Sequence, residues 1–411
     1  MGTISDNGAE AVVIGGMVLD INATPSVAAN PRTTTPGKVV YTLGGVARNV
    51  AECMSKLGQK PYMISAIGLD FPGNILLEHW KSAGLSVDGI NRSQDIETAV
   101  VCNIFDGKGE LAAVVASVEA IEKFLTSEWI QKFKFNICSA PILMVDANLS
   151  PAALLASCRM AVECETSVWF EPVSVAKSKK IVSIVKHLVA MANALLKPPT
   201  WALLENGIKV IIVTLGPDGV LLCFKAKNRV RKYDFKKNGP FSFSRKLYEA
   251  INLSCPPNII LGGSELKGSY NNIAVHFPAL SASVVRLTGA GDCLVGGTIA
   301  ALCAGLDLMQ SVAVGIAAAK GAVESERNVP GEYELSRIAD DARRVYSQAR
   351  VVFCESKIKL DLMSLAAVMG SKLTGKKITI DRLTVAYEDL SGLTQFPESL
   401  YLLESIENNA V

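Results

Sequence analysis

Glycines mark the places where the first eighty residues change character, and this punctuation restricts the fold more than any other feature of the chain. Ala11–Gly16 is a short apolar run that ends in Gly15-Gly16, a buried strand entering a turn, and Asp20 follows at once. Thr33 to Leu43 is β-branched and extended and ends at Gly44-Gly45; Val46 to Leu57 then reads as a helix stopped by Gly58. Lys60–Ile67 is the next strand, closed by Gly68, and Pro72–Ala83 the next helix. Alternation that begins this early favours a parallel sheet with helices on both faces.

Two β-rich runs, Thr98–Phe105 and Glu110–Ala116, flank Asp106-Gly107-Lys108-Gly109 and read as a hairpin standing off that sheet as a flap. Alternation then resumes. Ile142–Asp146, Ser167–Glu171 and Val210–Leu215 are strands, Pro151–Cys164 and Lys179–Leu196 helices, and Gly216-Pro217-Asp218-Gly219 turns the chain into another apolar run reaching Phe224. Residues 225–270 are basic, then rich in Ser, Asn, Gly and Pro, and read as a surface insertion, partly disordered. Ile273–Phe277 is a strand, and Cys293–Ala304, Leu308–Glu324 and Arg337–Ala349 are helices; beyond about Val351 the relation to this pattern is lost, apart from a helical stretch at Leu362–Met369.

The composition excludes several classes. A net charge of +2 gives no bulk field for nucleic acid or a membrane surface, and no apolar run reaches transmembrane length. Ten cysteines without a C-x-x-C fit a reducing compartment and free thiols rather than disulfides or zinc. The three histidines, His79, His187 and His276, lie far apart, which argues against a His-based metal site or hydrolase triad. With no signal peptide pattern the expected location is cytoplasmic, the peroxisome being the alternative although the C-terminus carries no targeting tripeptide.

Chemistry concentrates at Thr288-Gly289-Ala290-Gly291-Asp292, where small residues open the long apolar helix. The first amides of a helix lack acceptors and sit at the positive end of its dipole, so Gly289, Ala290 and Gly291 form a candidate anion hole. Asp292 would repel an anion there. It makes sense as a general base that takes a proton from an alcohol while the amides hold a phosphoryl group; the alternative is a helix cap.

Together with Gly44-Gly45-Val46-Ala47-Arg48-Asn49-Val50-Ala51, this stretch resembles the ribokinase (phosphofructokinase-B type) family of sugar and nucleoside kinases. The opening Ile14-Gly15-Gly16-Met17-Val18-Leu19-Asp20-Ile21-Asn22 is most similar to the plant-type pseudouridine kinases within it. The resemblance implies a three-layer α-β-α sandwich over residues 11–349, with a small β lid from strands about 17–42 and 95–117, and a C-terminal extension over 350–411. It also implies ATP-dependent phosphorylation of the 5′-hydroxyl of pseudouridine with Mg²⁺, and a homodimer through the lid. Asp20, Gly44, Gly45 and Asn49 would bind the sugar, Thr214, Gly216 and Gly219 the nucleotide, and Asp292 would be the base. Turn forming for Asp20 and capping for Asn49 are the plainer alternatives. Asn22, Asn103 and Thr98 are placed to read the base.

Two departures matter. The family's Asn-x-x-Glu motif, which organises Mg²⁺ through water, is missing: Lys186-His187-Leu188 runs straight toward Ala190-Met191-Ala192-Asn193 as though a strand had been cut out. Glu171 is then the candidate carboxylate for the metal. Arg286-Leu287 stands where the family has Asp-Thr, against a monovalent-cation site. The competing functions are a kinase for another nucleoside or sugar such as ribose, adenosine or fructose, and a catalytically impaired binding protein of the same fold. Gly370-Ser371-Lys372-Leu373-Thr374-Gly375-Lys376-Lys377 approaches a phosphate loop but ends in Lys377 where Ser or Thr should hold magnesium. A dinucleotide-dependent oxidoreductase is disfavoured because Gly15-Gly16 does not extend to G-x-G-x-x-G.

Overall fold

In the computed structural model, residues 10–28, 32–106, 111–174, 177, 203–204, 208–225, 242–256, 272–354 and 382–387 are described. The first half of the chain contributes strands Val12–Ile14 (β1), Val18–Pro25 (β2), Gly37–Gly44 (β3), Tyr62–Gly68 (β4), Ile90–Ser93 (β5), Val100–Phe105 (β6), Leu111–Ser117 (β7), Ile142–Asp146 (β8) and Ser167–Glu171 (β9). Val210–Thr214 (β10), Val220–Lys225 (β11), Asn272–Phe277 (β12), Arg350–Cys354 (β13) and Arg382–Tyr387 (β14) follow. The helices are Val46–Lys56 (α1), Phe71–Ser82 (α2), Glu119–Phe124 (α3), Ser127–Gln131 (α4), Lys134–Ser139 (α5) and Pro151–Glu163 (α6), then Ser242–Ser254 (α7), Ala290–Cys303 (α8), Leu308–Val323 (α9) and Leu335–Gln348 (α10).

Ten strands form one sheet in the order β13-β12-β11-β10-β14-β9-β8-β1-β4-β5. β9, β8, β1, β4 and β5 are mutually parallel, as the alternation predicts. Successive residues of these strands serve opposite faces. Val13, Met63, Met144 and Trp169 pack with α1, α2 and α7 to α10, whereas Val12, Ile64, Val145 and Phe170 pack with α3 to α6. Burial on both faces explains why these strands read as unbroken apolar runs, and the result is the three-layer sandwich. A second sheet, β3-β2-β6-β7, stands outside it and is the lid. The residues 107–110 that join β6 to β7 lie outside the described set, as do the expected helix over 179–196, the helical stretch 362–369 and the phosphate-loop look-alike 370–377.

Three expectations are corrected. Residues 225–270 are not all surface: α7 buries Leu247 and Ile251, with Cys255 after it, in the main core. Turn-type composition obscured an amphipathic helix whose apolar positions are four apart. The cysteines are not all free: Cys138 and Cys164 form a disulfide with their Cα atoms 5.0 Å apart. One ends α5 and the other caps α6, so only the tertiary packing of those helices brings them together. Finally, the sheet does not stop near Val351. β13 pairs with β12, and β14 lies between β9 and β10, antiparallel to both.

β14 joins two strands that have no other described link: Val210 to Thr214 pair with Ala386 to Arg382, and Phe170 to Val168 with Val385 to Tyr387. Without it, two rows of backbone N–H and C=O groups inside a sandwich lose their partners. A chain cut after Cys354 is expected to melt about 5–10 °C lower or to lose its cooperative transition, as followed by circular dichroism with a dye for exposed apolar surface. An unchanged melting curve would show that the sheet closes without β14.

Candidate active site

The parallel strands end together, and in sheets of this kind ligands bind beyond their carboxyl ends. β10 is antiparallel to β14 and β14 to β9, so β10 points the same way as β9. Gly15, Asp146, Glu171 and Thr214 therefore mark one edge of the sheet, and the turn Gly216–Asp218 with Gly219 follows Thr214 there.

The two motif stretches meet at this edge. Gly45, at a φ of 95°, starts α1, and Gly289, at 89°, starts α8. The left-handed backbone at Gly289 has a second constraint, since a Cβ there would lie 2.1 Å from the carbonyl oxygen of Asn328. Asn49, in the first turn of α1, donates from Nδ2 to Oδ2 of Asp292, in the first turn of α8, at 2.7 Å. Both side chains are buried. Asp292 is thus held by a side chain rather than acting as the cap of its own helix; no side-chain cap bond exists at that end. Of the amides expected to form the anion hole, that of Ala290 donates to Leu287 O at 3.3 Å, so the next amides of the turn are the stronger donors to a ligand.

Asp20 reaches the same place from the lid. Its carboxylate packs on Gly44, where a Cβ would fall 2.2 Å from Oδ2, so glycine is required for this approach. Asn328 Nδ2 donates to Asp20 Oδ2 at 2.9 Å and to Leu43 O at 3.0 Å. Burial pushes the Asp20 carboxyl up, and Asn328 and Arg48 pull it back only in part. On the same face of the lid, two residues along, Asn22 donates to Thr42 Oγ1 at 2.9 Å and accepts from Asn103 Nδ2 at 3.0 Å. Thr98, by contrast, spends its hydroxyl on Asp70 at 2.6 Å while accepting from Gly68 N–H, so it fastens the end of β4 rather than facing the base.

Beneath the site lies a buried arginine. Arg48 Nε donates to Gly44 O at 2.9 Å and Nη2 to Leu43 O at 2.8 Å, and its remaining donors meet Asn49 Oδ1 and Glu52. His79 Nε2 lies 2.9 Å from the other Glu52 oxygen. Burial raises the Glu52 carboxyl, but His79 and Arg48 outweigh it and bring it down to about 2. Because the folded value lies below the ordinary one, this group stabilises the fold above about pH 4.5 and loses that contribution as pH falls toward about 2.

Sequence reading missed three residues here. Arg48 was visible only as part of a motif. Asn328 has no motif around it. Asp146 ends a strand of apolar residues beside Gly15, which is the one clue it leaves. Its Oδ1 accepts from Asn148 N–H at 2.8 Å, its Oδ2 is buried without a hydrogen-bond partner, and desolvation lifts its carboxyl to about 6. Glu171, fully buried, is its register partner on β9. Among the described residues no group of three or more His, Cys, Asp or Glu could hold a metal ion. Two adjacent carboxylates, one with an orphaned oxygen, suit a hydrated magnesium that arrives with a nucleotide better than a closed protein cage.

With this geometry in place, comparison with known proteins is decisive for the family. The pfkB family carbohydrate kinase profile matches residues 9–237 and 263–329, which takes in both motif stretches. The chain belongs to the pfkB family of carbohydrate kinases. The pseudouridine kinase of Arabidopsis thaliana is 48% identical over 379 residues, covering 84% of this kinase and 98% of that protein. The pseudouridine kinase of Escherichia coli (strain K12) is 25% identical over 225 residues, 51% of this chain and 71% of the bacterial one. Among solved structures, Arabidopsis thaliana ribokinase complexed with ribose and ATP superposes with a TM-score of 0.57 at 14% identity, covering 82% of this kinase and 99% of that chain. A likeness at that identity shows the fold alone. No helix among the described residues is long and apolar enough to cross a membrane.

Replacing Arg48 by Met would leave the buried Glu52 with His79 as its one remaining side-chain partner among the described residues. Arg48→Met is expected to cost about 3–5 kcal/mol in urea unfolding at pH 7, and the gap to the parent should narrow as pH drops from about 4.5 toward 2. A gap that stays constant over that range would show that the ion pair is not its source.

Proposed function

We propose that this kinase transfers the γ-phosphoryl group of ATP to the 5′-hydroxyl of pseudouridine, giving pseudouridine 5′-phosphate and ADP. The observation that carries the reading is the Asn49–Asp292 hydrogen bond at the mouth of α8. It holds a carboxylate beside helix-start amides, a base next to a phosphoryl site. Similarity to the Arabidopsis enzyme over nearly its whole length supports the nucleoside.

In this reading Asp20 and the Gly44-Gly45 backbone hold the ribose, and Asn49 keeps one amide hydrogen for a sugar hydroxyl beyond the one given to Asp292. Asp292 accepts the 5′-hydroxyl proton as that oxygen bonds to the γ-phosphorus. The bond from the γ-phosphorus to the bridging oxygen breaks, and ADP leaves. Amides of the Gly289–Asp292 turn stabilise charge on the transferred group. Thr214, Gly216 and Gly219 line the nucleotide side. Asp146 and Glu171 are the carboxylates that would hold, through water, a magnesium bound with ATP, which would neutralise phosphate charge.

Pseudouridine and uridine share their ribose, so discrimination falls to the base's extra N–H. The Asn22–Asn103 pair on the lid is the polar group we assign to it. A buried acceptor left unpaired by uridine costs about 1–3 kcal/mol, roughly tenfold to a hundredfold in kcat/KM. A panel of nucleosides and sugars with Mg-ATP, products read by mass spectrometry, is expected to show that preference. In the same assay Asp292→Asn should bind pseudouridine normally and turn over about 10²–10⁴ times more slowly. Near-normal turnover would remove Asp292 from the role, preference for ribose, adenosine or fructose would move the substrate, and binding without turnover in the parent chain would make it a binding protein.

The lid also carries the case for a dimer. Val39, Tyr41, Val114 and Val115 are exposed on it, and among the described residues no further strand pairs with either of its edges. A homodimer through the lid is expected in light scattering, with Tyr41→Lys shifting it to monomer; a monomeric parent at micromolar concentration would reject this.

A further inference from the structure

Asn328 is 1% exposed, lies outside both motif stretches, and touches both the lid and the turn that opens α8. Its Nδ2 spends its two hydrogens on Asp20 Oδ2 at 2.9 Å and Leu43 O at 3.0 Å. Its backbone carbonyl lies under Gly289 and accepts from Cys293 Sγ at 3.5 Å. Its Oδ1 is buried with no hydrogen-bond partner. The amide cannot be turned over to relieve this, because Oδ1 would then face a carboxylate and a carbonyl, acceptors that have nothing to donate.

A buried acceptor without a donor is uncommon in a folded protein, and one fixed in orientation beside a second acceptor calls for a ligand that brings donors. Asp20 Oδ2 and Asn328 Oδ1 flank the same Nδ2, so the pair presents two acceptors on either side of one amide nitrogen. The geometry points to Asn328 as a specificity-determining residue: with Asp20 it accepts from the vicinal 2′- and 3′-hydroxyls of the ribose, and so selects ribonucleosides over deoxynucleosides. This rests on the reading of Asp20 as the ribose carboxylate. The same residue also ties the sugar to the phosphoryl site, since its backbone supports the turn that opens α8.

The test uses the full chain with Mg-ATP and pseudouridine, 2′-deoxypseudouridine, 3′-deoxypseudouridine and uridine. The parent should disfavour at least one deoxy analogue by roughly tenfold to a hundredfold in kcat/KM. Asn328→Ala should raise KM for pseudouridine by a similar factor, leave KM for ATP and most of kcat in place, and abolish the discrimination against that analogue. A purely structural role would raise KM for every analogue alike. If Asn328→Ala keeps the full ribose-over-deoxyribose ratio, the assignment falls. Loss of the pseudouridine-over-uridine preference with the deoxy ratio intact would also overturn it, because the acceptor would then face the base. Should Asn328→Ala not fold, the parent alone decides: equal kcat/KM for the ribo- and both deoxynucleosides overturns the proposal. If the parent instead prefers another ribonucleoside, the pseudouridine reading fails, and the same comparison on that nucleoside still tests Asn328.

Discussion

The hydrogen bond from Asn49 to Asp292 joins residues 243 positions apart, and the arrangement of the site depends on it. It can form because two helices begin at one spot, each from a glycine with positive φ. Asn49 is held in turn by Arg48, whose remaining donors grip the last carbonyls of β3 and the buried Glu52. Leu43 O accepts from both Arg48 and Asn328, and Asn328 grips Asp20. Asp292, Asp20 and the turn that opens α8 are therefore members of one buried network. Such a network fixes geometry when satisfied and penalises any member that loses its partner. The cost of burying Arg48 and Glu52 is consistent with that role: it buys orientation at the start of α1, not stability in itself.

Much of this was legible in the chain. Gly-Gly pairs after apolar runs marked the strand ends, and glycine before a small-residue helix start marked Gly289, because few residues other than glycine adopt that backbone cheaply. The three-layer architecture followed from strands apolar on both faces. What could not be read were contacts made by single residues far from any motif. Asn328 is an unremarkable polar residue in a loop until Asp20, 308 positions away, is folded against it. Asp146 looks like the polar end of a strand. The Cys138–Cys164 pairing depends on how α5 meets α6, which no spacing rule encodes. α7 was hidden by the turn-forming residues around it.

The missing Asn-x-x-Glu segment has a structural counterpart in the sheet. A parallel sheet tolerates the loss of a strand poorly, because the strands on either side then expose unpaired backbone between two helical layers. Here β14 lies between β9 and β10, running the opposite way. An antiparallel strand supplies the backbone partners that a parallel one would. It does not supply the same side chains at the carboxyl edge, because reversing a strand exchanges its two ends. Architecture and chemistry thus separate at this position. The sheet is complete across the gap, and among the described residues the strands that end in a carboxylate at this edge are β8 with Asp146 and β9 with Glu171.

That separation bears on how the two halves of the site should respond to change. The half proposed to hold the sugar draws on α1, α8, the lid and Asn328, tied by direct hydrogen bonds that do not pass through the strand gap. The half proposed to hold the nucleotide follows β10, whose neighbours in the sheet are β11 and β14, with Arg382 paired opposite Thr214. A disturbance of β14 therefore reaches Thr214 and the turn after it before it reaches Asp292. Asp146 stands between the halves: its partnerless oxygen lies beside Gly15, its strand neighbour is Glu171, and Asp292 is among the charges that hold its carboxyl up. A cation accompanying a bound nucleotide would relieve that buried negative charge and so favour the ionised form of the Asp146 carboxyl.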